Sequence, residues 1–157
     1  MTADAFDLDR FVRAQEDVYA GVLFELRAGC KTGHWIWFIF PQLLGLGRSP
    51  TSRFYAITSL EEASAYLAHP VLGPRLLECA DVVLAVRAGV AAEDIFGDLD
   101  ARKVQSSMTL FGRAAPDEPR FAAMLERFYD GTADAVTDAA LWGEPGQHGA
   151  PLTVVCG

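Results

Sequence analysis

Apolar residues recur at helical spacing along most of the chain. The first such stripe consists of Phe11, Ala14, Val18, Val22 and Leu26. It predicts a helix that Asp7 or Asp9 caps at its start. Gly29 is suited to end this helix, because glycine readily adopts the left-handed conformation that follows many helices.

Further helices are predicted by capping signals and by later stripes. Ser59 and Glu62 form a capping-box pattern, which starts a helix reaching to about Ala68. Pro74 fits the first position of the next helix, and Gly89 can end it. The remaining helical segments are predicted at about 93–97, 101–112, 119–131 and 134–141.

Residues 34–42 are apolar on every side, so periodicity alone does not separate a strand from a helix. Their helical neighbours favour a short buried helix, which Pro41 would end. The predicted fold is therefore all-α, a compact multihelical single domain of about six to eight helices. It spans residues 1–142. Residues 143–157 are predicted to form a loose tail, because their first part, 143–151, carries three glycines and two prolines.

Composition narrows the range of functions. The 157 residues are 51% apolar, enough for one core, and carry a net charge of −8 without a basic cluster. This charge argues against nucleic acid or an anionic membrane as the main partner. The chain has no signal-peptide pattern and no long apolar run, which favours the cytoplasm. Three widely spaced cysteines and three scattered histidines predict neither a metal site nor a cofactor.

The stretch 31–42 gathers the chemistry expected of a pocket for a flat ligand. Its candidate ligand-binding residues are Lys31, His34, Trp35 and Gln42, and Tyr55 follows shortly after. Aromatic rings can stack on a flat ligand, glutamine can bond an amide or a base, and lysine can pair with a phosphate. The alternative is a core-forming aromatic segment without a ligand.

The stretch 103–109 is the second candidate. Lys103, Ser106 and Ser107 would occupy adjacent turns of a helix, although mid-helix hydroxyls are poor helix formers. Close helix packing through small residues is the alternative explanation. The chain has 11 arginines but only two lysines, Lys31 and Lys103, one in each stretch. Either both positions need an amine, or the coincidence has no meaning.

Several motifs resemble the domain-of-unknown-function 1810 family, in the same order over roughly residues 7–140. They are Ala14-Gln15, the run 34–42, Gly45-Leu46-Gly47-Arg48-Ser49, Ser52-Arg53-Phe54-Tyr55, the run 65–76 and the run 103–111. The resemblance implies a multihelical fold and no established activity. A weaker resemblance connects the chain with the helical YbiA-like, or NADAR, proteins, which act as N-glycosidases on ribosylated compounds.

Two functional hypotheses follow. The first is a binder, or an N-glycosidase-like hydrolase, for a small anionic nucleotide or N-riboside, with Asp100 or Glu25 as a candidate acid–base group. This hypothesis requires Lys31 and Lys103 to lie closer than about 20 Å, roughly the length of a helix. The second is a non-catalytic interaction or regulatory module that exposes an aromatic patch around Trp35 and Trp37. The sequence leaves the oligomeric state open.

Overall fold

The computed structural model describes residues 4–142, which form α helices and no strands. The helices of this part of the chain are α1 (Asp9–Glu16), α2 (Tyr19–Ala28), α3 (Ile36–Ile39), α4 (Pro50–Phe54), α5 (Leu60–Ala68), α6 (Leu72–Leu84), α7 (Ala92–Phe96), α8 (Asp98–Ala114), α9 (Pro119–Tyr129) and α10 (Ala135–Trp142). The predicted all-α class is confirmed. The predicted tail, 143–157, lies outside the described residues.

The described residues contain ten helices, more than the six to eight predicted, partly because two features of the sequence were misjudged. The predicted first helix is broken at Asp17 and Val18, where the amide of Val18 donates to the carbonyl of Gln15 instead of one residue further back. The extra helix α4 starts where the Ser49 hydroxyl accepts from the amide of Ser52, with Pro50 in the first turn.

Other predicted elements are confirmed. The Ser59 hydroxyl accepts from the amide of Glu62 at 3.0 Å and starts α5. Gly29 follows α2 with a φ of 72°, in the left-handed region where a side chain would be strained. The apolar run 34–42 contains the short helix α3, whose Ile36 and Ile39 are buried.

The start of α6 differs from the prediction that Pro74 begins this helix. Helix α6 begins two residues earlier, at Leu72. The imidazole Nδ1 of His69 accepts from the amides of Val71 and Leu72, so a side chain before the helix satisfies its first donors. Pro74 therefore lies one position deeper in the first turn.

Helix α8 lies at the centre of the fold. It packs against α3, α5, α7, α9 and α10, and its second half is buried almost continuously from Ser106 to Phe111. Its first turns lie beside α3 and α7, where charged side chains can reach solvent. None of the helices between residues 4 and 142 has the length and apolar character needed to cross a bilayer.

Candidate functional site

The two lysines of the chain meet on one carboxylate. The Nζ atom of Lys31 lies 2.7 Å from Oδ2 of Asp100, and the Nζ atom of Lys103 lies 3.0 Å from Oδ1 of the same residue. Lys31 and Lys103 are therefore far closer than the 20 Å limit set above. The fold brings together the two stretches that the sequence singled out.

Backbone contacts hold the partners of this ion cluster in place. The amide of Lys31 donates to the carbonyl of Ile95 at 2.7 Å, which attaches the loop after α2 to α7. The Lys31 ammonium also donates to the carbonyl of Gly33. Asp100 and Lys103 are three residues apart on α8, so their side chains lie on one face of this helix.

Each lysine lies over a tryptophan ring. The Nζ atom of Lys31 is 5.0 Å from the ring centroid of Trp35, and that of Lys103 is 4.1 Å from the ring centroid of Trp37. Both distances allow a cation–π attraction. Trp35 is buried, whereas Trp37 is half-buried. We call Lys31, Trp35, Trp37, Asp100 and Lys103 the two-lysine cluster.

The cluster is more open at Lys103 than at Lys31. The side chain of Lys31 is only 7% exposed, that of Asp100 is 18% exposed and that of Lys103 is 25% exposed. Lys31 uses its donors on Gly33 and Asp100, while Asp100 is the only hydrogen-bond acceptor of the Lys103 ammonium within the part of the chain that the structure describes. Lys103 thus retains N–H donors that can reach an incoming group.

Asp100 is ionised at neutral pH. Burial disfavours its charged form, but hydrogen bonds from Lys31 and Lys103 outweigh burial and hold its pKa below the usual value of 3.8. Two ammonium groups around one carboxylate leave the group of three with a net positive charge of one.

Glu25 fixes the loop that carries Lys31. Its Oε1 atom accepts from the amides of Thr32 and Gly33, at 2.7 Å and 2.9 Å, and from the Trp35 indole at 2.9 Å. Burial opposes ionisation, but these donors outweigh it and lower the pKa of Glu25 to about 2. The Glu25 carboxylate therefore holds the loop in place through these hydrogen bonds.

We expect the stabilisation from Glu25 to depend on pH. Because its pKa falls from 4.5 to about 2 on folding, this stabilisation is complete above pH 4.5 and is lost as the pH falls towards 2. Urea unfolding of the wild type and of Glu25→Gln should show a difference of about 1–2 kcal/mol near pH 6, after allowance for solvent screening. This difference should shrink below pH 4.

The control for this measurement is Glu16→Gln, which alters an exposed carboxylate outside the loop. Its effect on the free energy of unfolding should stay within about 0.5 kcal/mol. If the difference in the free energy of unfolding between the wild type and Glu25→Gln persists unchanged at pH 3, the proposed role of Glu25 in holding the loop is wrong.

The two serines of the site differ. The Ser106 hydroxyl donates to the carbonyl of Arg102 at 3.1 Å. The Ser107 hydroxyl is fully buried and has no hydrogen-bond partner among the described residues. Ser107 lies one helical turn after Lys103, on the same side of α8. A buried hydroxyl without a partner costs about 1–3 kcal/mol, so its presence in the helix requires an explanation.

Three candidate residues lie apart from the ion pairs of the cluster. His34 is exposed. The ring of Tyr55 packs against Phe11, Phe38 and Phe54, which makes it part of an aromatic group beside α1. Gln42 is half-buried, and its carbonyl accepts from the amide of Ile57 at 2.8 Å. None of the three contributes to the charges around Asp100.

Trp37 was not among the candidate ligand-binding residues, and its contact with Lys103 was not predicted from the sequence. The apolar pattern of 34–42 gave no signal for it, because the pattern does not show which ring faces α8. The contact of Asp100 with Lys103 could have been predicted, because residues three positions apart lie on one face of a helix. Within residues 4–142, no three His, Cys, Asp or Glu side chains come close enough to hold a metal ion.

The chain belongs to the family described as "Protein of unknown function (DUF1810)", whose model matches residues 5–141. A comparison with curated proteins gives no match. Among solved structures, the chain is similar to the crystal structure of the conserved hypothetical protein Rv1873 from Mycobacterium tuberculosis. The two chains share 55% identity with a TM-score of 0.86, over 88% of this chain and 98% of that one.

Proposed function

We propose that this protein binds a small anionic ligand with a flat ring, of the nucleotide or N-riboside class, at the two-lysine cluster. The observation that carries the proposal is the meeting of both lysines on Asp100, at 2.7 Å and 3.0 Å. The partly exposed Lys103 ammonium beside a half-buried indole suits a phosphate joined to a ring. The N-riboside class rests on the weaker resemblance to NADAR proteins.

The two lysines of the cluster have different roles in the proposed site. Lys103 is the ligand contact, because it is the more exposed ammonium and has donors to spare. Lys31 positions the site and does not contact the ligand, since its buried ammonium binds Asp100 and the loop carbonyl of Gly33. Trp37 is half-buried, and the part of its ring that Lys103 leaves uncovered can contact the flat ring of a small ligand.

Ser107 gives independent support. Its hydroxyl is buried without a hydrogen-bond partner, one turn from Lys103. Such a group destabilises a helix whose role is only to pack against its neighbours. Such a group becomes satisfied when a bound water or a ligand atom reaches it. We assign Ser107 to a water-mediated contact with the ligand.

Binding fits the cluster better than hydrolysis. An N-glycosidase needs a group that stabilises the oxocarbenium ion and a positioned water. Asp100 is ionised, as such a stabiliser must be, but both of its oxygens contact ammonium groups. Hydrolysis is therefore an extension of the proposal, to be tested by turnover of the ligand that binds.

The alternative is a non-catalytic interaction module with an aromatic patch around Trp35 and Trp37. Trp35 is only 4% exposed and the Trp37 ring lies against Lys103, which leaves little aromatic surface at this place for a protein partner. The ligand hypothesis is favoured for this reason.

We expect AMP, NAD or ADP-ribose to raise the free energy of unfolding of the wild type by about 2.7 kcal/mol at 100 times its dissociation constant. Lys103→Gln should weaken binding at least tenfold, measured by isothermal titration calorimetry. Arg102→Gln is the matched control, because it removes the same charge from the neighbouring exposed position of α8. No binding by the wild type, or equal losses in both variants, would contradict the proposal.

The same titration includes Ser107→Ala, with Ser106→Ala as its control. Removing the unpaired Ser107 hydroxyl should raise the free energy of unfolding by about 1 kcal/mol while it weakens ligand binding. Removing the paired Ser106 hydroxyl should leave binding within about twofold, a difference of about 0.4 kcal/mol. A Ser107→Ala protein that binds as tightly as the wild type would exclude this residue from the site.

A further inference from the structure

Helix α2 packs against α6 and leaves its opposite side exposed. Only two of its ten residues are charged, and its apolar residues lie on all sides instead of forming one stripe, a pattern typical of a helix that is covered all round. Only Val22, Leu23 and Leu26 are buried, however, and Phe24 is 73% exposed. This is the highest exposure of any large apolar side chain between residues 4 and 142. The exposed face therefore lacks the cover that its composition predicts.

A glycine lies beside Phe24 on this face. Gly21 is three residues before Phe24, so the two residues are neighbours on the helix surface. A Cβ atom placed on Gly21 would meet no other atom within 4 Å, and its φ is not in the left-handed region. Nothing in the part of the chain that the structure describes therefore requires glycine here, although glycine inside a helix is less favourable than alanine. The close approach of another helix would explain both the open space over Gly21 and the exposed ring.

The two ends of the face carry opposite charges. Asp17 directly precedes α2 and Arg27 lies in its last turn, and both residues are exposed. Neither forms an ion pair with another residue of the range 4–142. Arg27 lines a cleft of about 440 Å³ together with Arg87, and the carboxylate that also lines it, Asp94, accepts from the amide of Ala91. Each end of the face is thus complementary in charge to the other end of the same face on a second copy.

We infer that α2 is the contact surface of a homodimer, in which the α2 helices of two copies pack antiparallel across a two-fold axis. Such a contact uses the same patch twice, so it must be complementary to itself. In one register, Phe24 of each copy lies over Gly21 of the other. Asp17 then lies opposite Arg27 of the other copy, because both pairs are centred close to residue 22. A parallel arrangement would instead bring equal charges together.

The dimer should be weak, because the contact is small. Helix α2 has ten residues and is about 15 Å long, so its exposed face is smaller than the roughly 800 Å² per partner of a stable interface. We expect a dissociation constant of about 10 μM to 1 mM, which sedimentation equilibrium of the full chain over the same range of concentrations measures. A wild type that stays monomeric up to about 1 mM would overturn the inference.

Two substitutions test the contact at the centre of the face. Gly21→Leu should weaken dimerisation about tenfold or more because it fills the space over the glycine, and Phe24→Ala should do the same because it removes the inserted ring. Thermal unfolding at low concentration should show that Gly21→Leu is no less stable than the wild type, since its side chain meets open space. The control is Leu99→Ala, which truncates a 71% exposed side chain on α8. An equal loss of dimer in Leu99→Ala would place the contact elsewhere.

A charge exchange tests the antiparallel arrangement separately. Asp17→Arg and Arg27→Asp should each weaken dimerisation several-fold, because each puts two equal charges opposite each other. The double variant Asp17→Arg/Arg27→Asp should recover most of the lost affinity, because the pairs form again with their signs exchanged. If the losses of the two single variants add in the double variant, the antiparallel arrangement is wrong.

Discussion

Arg10→Met is expected to lower the free energy of unfolding by about 3–5 kcal/mol, the typical cost of breaking a buried ion pair. The Arg10 guanidinium lies 3.0 Å from a carboxylate oxygen of Glu62, and the two side chains are 8% and 2% exposed. Methionine keeps much of the apolar stem of Arg10, so the loss reports mainly on the charge and its hydrogen bonds. Urea unfolding at neutral pH measures the effect.

The expected loss is large because Arg10 satisfies several buried acceptors. Its nitrogens donate to the carbonyls of Phe6, Asp7, Phe54 and Ala56, as well as to Glu62. These bonds join the start of α1 to the end of α4 and to the segment before α5. In Arg10→Met the buried Glu62 carboxylate and the carbonyls lose their donor together.

Arg13→Met provides a matched control one turn further along α1. The Arg13–Asp9 pair is 65% and 54% exposed, so its removal should cost less than about 0.5 kcal/mol. The double variant Arg10→Met/Glu62→Gln should recover part of the loss, because it removes the unpaired buried charge. An Arg10→Met protein as stable as Arg13→Met would show that the pair does not hold these segments together.

Asp100→Asn is expected to cost about 3 kcal/mol, because it leaves the Lys31 ammonium buried without its counter-charge. Lys31 is 7% exposed, so water cannot fully replace Asp100. Asp98→Asn is the control, because Asp98 lies exposed in the same first turn of α8 and interacts similarly with the helix dipole. Equal effects of the two substitutions would mean that the two-lysine cluster adds nothing beyond the dipole.

Local signals in the sequence predicted much of the fold. Ser59 and Glu62 marked the start of α5, and Gly29 marked the end of α2, because capping depends on a few neighbouring residues. The break at Val18 was missed because this residue continues the apolar stripe, although it is 38% exposed in the structure. Periodicity does not reveal where two short helices change direction.

The site was only partly predictable for a related reason. The rarity of lysine pointed to Lys31 and Lys103, but their shared contact with Asp100 joins residues about 70 positions apart and depends on the whole fold. Residue type suggested His34 and Tyr55 as partners, and the fold directs them elsewhere, to solvent and to an aromatic group. The contact of the Trp37 ring with Lys103 on α8 is likewise a tertiary property.

The central claim is that a small anion with a flat ring binds at Lys103 and Trp37. The most direct measurement is a titration of ADP-ribose followed by NMR of the indole N–H groups, with ¹⁵N-labelled tryptophan. The chain has three tryptophans, so each gives one signal. We predict a saturable shift that is largest for Trp37, smaller for the buried Trp35 and absent for the exposed Trp142, and that Lys103→Gln abolishes. Unchanged signals up to millimolar ADP-ribose, or a shift confined to Trp142, would contradict the claim.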